Sequence, residues 1–343
     1  MSLRIAIVGT GSVAVTHLEQ LLPIRGCQVV ACCDVVTKKA RHFASQHKIN
    51  AIYSEVHDLL EFENPDALIV AVPPHAQFQV CEAALLHGVH VLCERPLTNS
   101  AREAGRLARL AQEKNLVNMV SFESRNLPVV NKAAAIVKSG RLGRIMHVEG
   151  SYLESWLSTA SQGDWKTCES LLWRMTQKHG GHGVLDDIGL TLLDCLSYVV
   201  GDIVSLNAQT RSFRKDVPGN RLGDTALDAS DSAVMSAEFR GGAIGAFNLT
   251  RWATGEINSL RVRIYGDKGG MTLDVEDSGS VLKICSGADR HKGIWTEVEC
   301  VEVPTIWRVF INAIRKEDVE VSPSFEEARS LHKLLTRPKK ENI

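Results

Sequence analysis

The sequence predicts an α/β protein of two domains: an N-terminal domain built on a parallel sheet, then an α+β domain with a large, mostly antiparallel open sheet. The chain has 343 residues, which is long for a single core. Its first third alternates short apolar runs with amphipathic segments, a pattern typical of parallel strands covered by helices on both faces. Beyond residue 122, alternating strand-like runs and glycine turns replace this rhythm, which indicates the second domain.

The apolar runs of the first third are the predicted strands, and the amphipathic segments between them are the predicted helices. The strands are Arg4–Val8, Val29–Cys33, Ala67–Val72, Val89–Cys93 and Val117–Val120. The helices are Thr37–Gln46, Gln77–His87 and Ser100–Lys114. Because strands and helices that alternate in this way build a parallel sheet, we assign residues 1–121 to the first domain.

Residues 122–343 are predicted to form the second domain. It begins with a predicted helix, Leu127–Lys138, which Ser139-Gly140 ends. The predicted strands are His147–Tyr152, Ser205–Arg211, Ser232–Phe239, Ala243–Leu249 and Arg261–Tyr265. The predicted hairpin turns are Gly241-Gly242 and Lys268-Gly269-Gly270. The predicted closing helices, which could pack against the first domain, are Pro304–Lys316 and Ser324–Thr336.

The composition excludes several classes of protein. A net charge of −1 gives no field that would attract a polyanion, so we expect no nucleic-acid partner. No apolar run reaches the length of a membrane span, so we expect no membrane insertion. The nine cysteines include no CxxC pair, which favours buried thiols in a reducing cytoplasm over disulfides or a metal site.

The sequence GTGSVA at 9–14 lies between the first strand and a helix, and it follows the GxGxxG/A pattern. Gly9 permits the tight turn, Gly11 lets the backbone approach a pyrophosphate, and Ala14 is small enough for close packing of helix and strand. The N-terminus of the helix adds the positive end of its dipole. The pattern therefore predicts a Rossmann dinucleotide-binding domain.

Asp34 ends the second strand about 20 residues beyond the glycines, where a carboxylate can bind the ribose 2′-hydroxyl. It predicts NAD as the cofactor, because a carboxylate repels the 2′-phosphate of NADP. The basic residues Lys38, Lys39 and Arg41 lie nearby and leave NADP open. The alternative role of Asp34 is the N-cap of the helix that follows.

Two further stretches lie where a cofactor could be contacted. The sequence VPPH at 72–75 ends the third strand, at the carboxyl edge where open α/β sheets bind ligands. Its two prolines could instead only stop the strand. His17 lies one turn into the first helix, and we expect a core or surface histidine there rather than a catalytic one.

Taken together, these motifs resemble the Gfo/Idh/MocA family of nicotinamide-dependent oxidoreductases over nearly the whole chain. The resemblance rests on GTGSVAVTH at 9–17, AVPPH at 71–75, GVHVLCERPL at 88–97, SFESRNLP at 121–128, SGRLGRI at 139–145, GHGVLDDIGLTLLD at 181–194 and IYGDKGG at 264–270. It implies hydride transfer between NAD(P)(H) and a sugar, polyol or related small hydroxy or keto compound. It also implies a homo-oligomer, a dimer or a tetramer, formed through the sheet of the second domain.

The resemblance assigns cofactor contacts to the pyrophosphate turn, the ribose anchor, the loop beside the nicotinamide ribose, the Glu-Arg-Pro turn and a segment that closes over the cofactor. The pyrophosphate turn comprises Gly9, Thr10, Gly11, Ser12 and Val13, and the ribose anchor is Asp34. The loop beside the nicotinamide ribose contains Val72, Pro73 and His75. The Glu-Arg-Pro turn contributes Glu94 and Arg95, and the closing segment contributes Trp173 and Arg174. Among the family's catalytic positions, Asp187 matches the active-site aspartate. Arg95 stands where the family carries a lysine, and Thr191 where it usually carries a histidine.

The replaced residues limit the chemistry that is available. Arg95 stays protonated, so it cannot act as a base, but it can donate a fork of hydrogen bonds to a carbonyl, alkoxide or carboxylate. Its alternative role is an ion pair, for example with Glu94. Thr191 can bind a substrate oxygen but cannot accept a proton usefully near neutral pH. If residues 184–199 form one helix, Asp187, Thr191 and Asp194 share a face.

A replacement for the missing catalytic base could come from the sequence HGGHG at 179–183. The imidazole of His182 titrates in the range that proton exchange requires. Its alternative role is a loop histidine that faces water. We predict that His182 or Asp187 handles the proton and that Arg95 polarises the carbonyl.

Three functions are compatible with this pattern. The first is an NAD(P)(H)-dependent oxidoreductase that acts on CH–OH groups. The second is a catalytically silent dinucleotide-binding sensor of the same fold, which the replacements at Arg95 and Thr191 keep open. The third is a lyase-like enzyme that uses tightly held NAD transiently. The cluster of Asp187, Trp173, Arg174 and the Glu-Arg-Pro turn at 94–96 favours the first, because a scaffold has little physical need for it.

Overall fold

The computed structural model of the chain describes residues 2–180 and 183–336, without the side chains at 169, 170, 179, 180 and 336. These residues form two compact units. Unit 1 comprises 2–122 and 304–330, and unit 2 comprises 123–180, 183–303 and 331–336. The second unit is thus not the continuous segment 122–343 that we predicted, because residues 304–330 belong to unit 1.

Unit 1 is built on a parallel sheet. Its strands are β1 (Leu3–Val8), β2 (Cys27–Cys33), β3 (Ala51–Tyr53), β4 (Ala67–Val70), β5 (His90–Cys93) and β6 (Asn118–Val120). The order β3-β2-β1-β4-β5-β6, with every neighbouring pair parallel, is that of a doubly wound Rossmann sheet. The predicted parallel sheet is therefore confirmed. The sequence missed β3, because three residues are too few to show a strand period.

Helices connect these strands. They are α1 (Ser12–Leu21), α2 (Thr37–His47), α3 (Val56–Glu63), α4 (Pro74–Leu86) and α5 (Ala101–Glu113). The start of α5 follows from its sequence, since the Ser100 side chain accepts a hydrogen bond from the Glu103 amide as an N-cap does. Its buried positions, among them Ala104, Leu107 and Ala111, recur at helical spacing. The sequence missed α3, which spans only two turns.

The first α-helix of unit 2 is α6 (Pro128–Lys138). It ends where predicted, and Ser139 is its C-cap. Its other helices are α7 (Glu169–Leu172), α8 (Gln177–Gly180) and α9 (Leu190–Val200). Its strands are β7 (Ile145–Leu153), β8 (Ile203–Arg211), β9 (Arg221–Leu222), β10 (Thr225–Ala226), β11 (Ser232–Phe239), β12 (Ile244–Thr250), β13 (Ser259–Gly266), β14 (Gly269–Glu276), β15 (Gly279–Ser286) and β16 (Thr296–Glu297).

The large sheet of unit 2 has the order β16-β15-β14-β13-β7-β12-β11-β8. Its pairs are antiparallel except β7 with β12, which run parallel. The predicted, mostly antiparallel sheet is thus confirmed. The turn at Gly241-Gly242 is found between β11 and β12. The turn between β13 and β14 is instead formed by Asp267 and Lys268, because Gly269 already pairs in β14.

The predicted helix over residues 184–199 is interrupted. Leu185–Gly189 forms a π-helical turn, and regular α-helix begins only at Leu190. A π turn holds more residues per turn than an α-helix, so the spacing from Asp187 to Thr191 is not the α-helical one we assumed. The shared face that we derived from α-helical periodicity therefore does not follow.

The segment 304–330 contains α10 (Ile306–Ile314), and the last helix is α11 (Phe325–Thr336). Four apolar side chains of α10 lie in the same core as side chains of β1 and α1. They are Ile306, Trp307, Phe310 and Ile311. Their spacing places them on one side of the helix, and burial of that side anchors the segment in unit 1.

Candidate active site

The glycine-rich segment at 9–14, which we call the phosphate loop, has open space beside Gly11 where a pyrophosphate would lie. Gly9 adopts a φ of 89°, and a Cβ there would lie 2.3 Å from the carbonyl oxygen of Ala71, so only glycine fits. A Cβ on Gly11 would meet no atom of residues 2–180 and 183–336 within 4 Å. Helix α1 begins at Ser12 without a side-chain cap, and Ser12 and Val13 are exposed. The backbone N–H groups at this helix start, which no side chain caps, therefore suit an anion.

Asp34 is bonded to the phosphate loop. Its Oδ2 accepts hydrogen bonds from the backbone N and the hydroxyl of Thr10, at 2.9 and 2.8 Å. Its Oδ1 accepts one from the backbone N of Val36 at 2.8 Å. It does not cap α2, whose N-cap is Val36 without a side-chain bond, so that alternative is wrong. Thr10 thus holds the Asp34 carboxylate against the loop.

The loop at 72–75 follows β4, which ends at Val70, two residues earlier than predicted. Val72 contacts the loop glycine closely, since a Cβ on Gly9 would lie 3.1 Å from Val72 Cγ1. Pro73 and His75 are exposed at the N-terminus of α4. These residues therefore lie beside the phosphate loop, at the carboxyl edge of the sheet.

Glu94 directly follows β5 and is held on several sides within unit 1. Its backbone N donates to Val70 O at 2.9 Å, and its backbone oxygen accepts from Gln77 Nε2 at 2.9 Å. Its Oε1 lies 3.0 Å from His17 Nε2, and its Oε2 accepts from the Arg95 backbone N at 3.2 Å. Among the described residues Nε2 of His17 makes no hydrogen bond of good geometry, so its contact with Oε1 is electrostatic.

His17 is buried between Glu94 and Trp307. Trp307 Nε1 donates to His17 Nδ1 at 2.8 Å. An indole can only donate, so Nδ1 accepts, and the proton of the neutral ring lies on Nε2, which faces Glu94. Burial alone would raise the pKa of Glu94, but His17 and the charge of Arg95 lower it below its ordinary value. Glu94 is therefore a firmly ionised carboxylate, and His17 is a core histidine, as expected.

Unit 2 contains a second charged site around Asp187. Arg251 NH2 donates to Asp187 Oδ2 at 2.7 Å, and Arg174 NH1 lies 3.9 Å from the same oxygen. The buried guanidinium of Arg251 also donates to the backbone oxygen of Arg174 at 2.9 Å. It lies over the ring of Trp156, with Cζ 5.2 Å from the ring centroid. Asp187 is thus nearly buried and paired with arginine.

Glu154 belongs to the same site and was missed by the sequence. Its Oε2 accepts a hydrogen bond from Trp156 Nε1 at 2.8 Å. Burial raises the pKa of Glu154 and the negative charge of Asp187 raises it further, outweighing the opposite effects of Arg174 and Arg251. One signal was available, since Glu154 and Arg251 each follow a predicted strand. The parallel pairing that brings those strand ends together was not readable from the sequence.

The remaining predicted residues of unit 2 differ in their surroundings. Thr191 is buried, and its hydroxyl has no hydrogen-bond partner within the part of the chain that the structure describes. Asp194 is bound in two places by Arg125, through Nε at 2.9 Å and NH2 at 2.7 Å. Asp194 is therefore a buried carboxylate whose charge is paired with that of Arg125. Trp173 and Arg174 lie in a short 3-10 turn, with the guanidinium Cζ 5.4 Å from the Trp173 ring centroid.

The roles of two predicted residues, His182 and Arg95, stay predictions. His182 lies outside the described residues, and so does the side chain of His179. Arg95 is half-buried, and its side-chain role stays a prediction.

Among residues 2–180 and 183–336, no group of three or more histidine, cysteine, aspartate or glutamate side chains could hold a metal ion. No helix in those ranges is long and apolar enough to cross a membrane.

Comparison with known proteins identifies the family. Residues 3–122 match the family model described as an oxidoreductase family with an NAD-binding Rossmann fold, and residues 130–272 match the Gfo/Idh/MocA C-terminal domain. The chain belongs to the Gfo/Idh/MocA family of NAD-binding oxidoreductases, and unit 1 contains its NAD-binding Rossmann domain.

Several relatives within this family carry names of sugar dehydrogenases. Levoglucosan dehydrogenase of Pseudarthrobacter phenanthrenivorans is 28% identical over 79% of this chain and 70% of its own length. D-glucoside 3-dehydrogenase of Escherichia coli is 27% identical over 79% of this chain and 77% of its own length. The solved structure of a levoglucosan dehydrogenase with NADH and levoglucosan has a TM-score of 0.84 at 22% identity, covering 97% of this chain and 95% of its own. That structural likeness supports the fold.

Proposed function

We propose that this protein transfers hydride between NAD(H) and a sugar, a polyol or a related small hydroxy or keto compound. The observation that carries the proposal is the charged site of unit 2, in which Asp187, Arg251 and Glu154 are buried together. Burying charges is costly and is not needed for folding, so such a site in a dinucleotide-binding chain favours catalysis. The names of the relatives supply the substrate class.

The residues of unit 1 fit the dinucleotide. The uncapped amides after Gly11 would hold the pyrophosphate, and Asp34 would bind the adenosine ribose. Oδ1 of Asp34 accepts a single hydrogen bond from the described residues, so it retains acceptor capacity for a ribose hydroxyl. The loop Val72, Pro73 and His75 and the turn at Glu94 would contact the nicotinamide end. When bound, the nicotinamide supplies or accepts the hydride.

The chain's own residues would stabilise charge and move the proton. Arg95 would donate hydrogen bonds to the substrate oxygen, where negative charge develops as hydride moves. Asp187 or His182 would exchange the hydroxyl proton, and Thr191, whose hydroxyl has no partner among the described residues, would bind a substrate oxygen. Trp173 and Arg174 would cover the bound molecules.

A homo-oligomer, a dimer or a tetramer, is proposed as well. The large sheet exposes apolar side chains on one face. Val234 and Ile244 are exposed on neighbouring strands, and Tyr265 shares their face through His147, which pairs with both Ile244 and Tyr265. Exposed apolar side chains gathered on one sheet face suit an interface between copies. Light scattering after size-exclusion chromatography would measure the mass in solution.

The second candidate is a catalytically silent dinucleotide sensor, favoured by Arg95 and Thr191 at the family's catalytic positions. Calorimetric titration with NADH and NADPH, followed by a turnover assay on sugars, polyols and keto acids, separates the two. We expect tighter binding of NADH than of NADPH and turnover on at least one panel member. NADH binding without turnover across the panel would support the sensor, and no binding of either dinucleotide would exclude both.

A further inference from the structure

Glu154 and Arg251 in unit 2 lie directly after β7 and β12. These two strands form the only parallel pair among the described strands of the large sheet. β7 ends at Leu153 and β12 at Thr250, and these residues are partners in the pairing register. Glu154 and Arg251 come next, and the backbone N of Glu154 donates to Thr250 O at 2.9 Å. Parallel strands end at the same edge, so this pairing fixes Glu154 beside the arginine that binds Asp187.

The two carboxylate oxygens of Glu154 are not equivalent. Oε2 accepts the Trp156 indole N–H at 2.8 Å, and an indole can only donate. Oε2 therefore stays an acceptor whether the carboxyl group is ionised or protonated. Oε1 accepts no hydrogen bond from the described residues. A proton on Glu154 accordingly lies on Oε1, which is the oxygen left for a ligand.

Neighbouring groups act on the pKa of Glu154 in both directions. Asp187 and burial favour the neutral form of Glu154, while Arg174, Arg251 and the Trp156 hydrogen bond favour the ionised form. When two carboxyl groups share a buried site, their environments push their titrations apart, and the group that is harder to ionise serves as the acid or base. Asp187 is directly bonded to Arg251, so Glu154 is the group in this site suited to exchange.

We propose that Glu154, in place of Asp187 or His182, is the proton-exchange residue of the active site and that its Oε1 accepts the hydroxyl proton of the substrate. This inference rests on the proposed oxidoreductase function. In alcohol oxidation the substrate O–H bond breaks and its proton passes to Oε1. The C–H bond breaks as well, and a bound nicotinamide would accept its hydrogen with both bonding electrons, as hydride. A C=O bond forms, and the proton later passes from Oε1 to water.

The first test needs no cofactor. Infrared difference spectra of the whole protein, titrated from about pH 4 to about pH 9, should show a carboxylic acid that persists above the ordinary glutamate range of about 4.3. Glu154→Gln should remove this signal, and Glu149→Gln should keep it, because Glu149 is an exposed glutamate of β7. Trp156→Phe should move its loss to higher pH and Asp187→Asn to lower pH, since they remove opposite influences.

The second test is kinetic. Glu154→Gln should lower kcat for alcohol oxidation by about 10²- to 10⁴-fold with little change in KM, and Glu154→Asp should restore part of it. Ionised Glu154 is the acceptor, so native kcat should rise with pH through the infrared transition. A purely structural Glu154 would not make the two transitions move together in Trp156→Phe.

The outcomes separate the two proposals. Loss of the infrared signal in Glu154→Gln together with a kinetic transition that follows it supports the inference. Turnover of Glu154→Gln with a native pH profile overturns the inference and leaves the proposed function intact. Absence of a carboxylic acid above the ordinary range also overturns the inference alone. A native protein that binds NADH but turns over no substrate overturns both.

Discussion

Glu94 in unit 1 and Glu154 in unit 2 occupy the same kind of place but have opposite properties. Each directly follows a strand and is largely buried. Trp156 donates a hydrogen bond to Glu154, and Trp307 donates one to His17, which lies beside Glu94. The pKa of Glu94 is lowered by His17 and Arg95, against the effect of its burial, whereas the pKa of Glu154 is raised by burial and by Asp187. The charge of the neighbours, rather than the residue type or its depth, therefore decides the role. Glu94 suits a permanent anion, and Glu154 suits a group that exchanges a proton.

The largest effect is expected from breaking the buried pair in unit 2. Arg251→Met should lower the free energy of unfolding by about 3–5 kcal/mol, because Asp187 would keep a buried charge without its closest partner. Urea unfolding measures this. The double variant Arg251→Met with Asp187→Leu should be more stable than the single variant.

The control for that prediction is Arg240→Met. Arg240 pairs with Asp202 at 2.9 Å, but both side chains are mostly exposed. An exposed pair adds little to stability, so the control should unfold at nearly the native urea concentration. Equal destabilisation by both variants would mean that the site around Asp187 is not energetically distinct from the surface.

The next effect concerns the cofactor loop of unit 1. Asp34→Asn should weaken NADH binding by about 10- to 100-fold, because the charge-assisted hydrogen bonds to the ribose and to Thr10 are lost. Thr10→Val should weaken it only a few-fold, since the backbone N of Thr10 can still donate to Asp34. Fluorescence titration with NADH and NADPH measures both. We expect the ratio of the NADPH Kd to the NADH Kd to fall in Asp34→Asn. An unchanged ratio would mean that Asp34 is not the ribose anchor.

A smaller effect is expected from the support of Glu94. Trp307→Phe removes the donor to His17 Nδ1, and it should lower the free energy of unfolding by about 1 kcal/mol and weaken NADH binding several-fold. Trp295→Phe, which changes an exposed tryptophan in unit 2, should leave NADH binding unchanged. Calorimetry distinguishes them. A Trp307→Phe variant with native NADH affinity would limit this network to a role in folding.

The smallest effect is a pH dependence of stability. The pKa of Glu94 is lower in the folded than in the unfolded chain, so the folded chain binds fewer protons there. The stabilisation is fully present above the unfolded pKa of about 4.3 and is lost as pH falls through the folded value. Native protein should therefore exceed Glu94→Gln in stability at neutral pH, and the difference should shrink below about pH 4. Chemical unfolding at several pH values measures it, and a constant difference would contradict the prediction.

The sequence predicted well the position of features that depend on neighbours along the chain. The phosphate loop at 9–14, Asp34 at the end of its strand and the turn at Glu94 are local motifs, and each lies where parallel strands present their carboxyl ends. Most strand and helix positions were predicted for the same reason, since periodicity is a local property. Short elements such as β3 and α3 were missed because they contain too few residues to show a period.

The tertiary structure alone decided which partners surround each charged group. His17 and Trp307 lie 290 residues apart, yet their hydrogen bond fixes the imidazole beside Glu94. The parallel pairing of β7 with β12 sets Glu154 beside Arg251, and a π turn changed the predicted register of Asp187 and Thr191. Strand order and pairing direction are set by packing over the whole chain. The sequence therefore determined the dinucleotide-binding fold and its loop, and only the fold determined which carboxylate stays ionised and which can hold a proton.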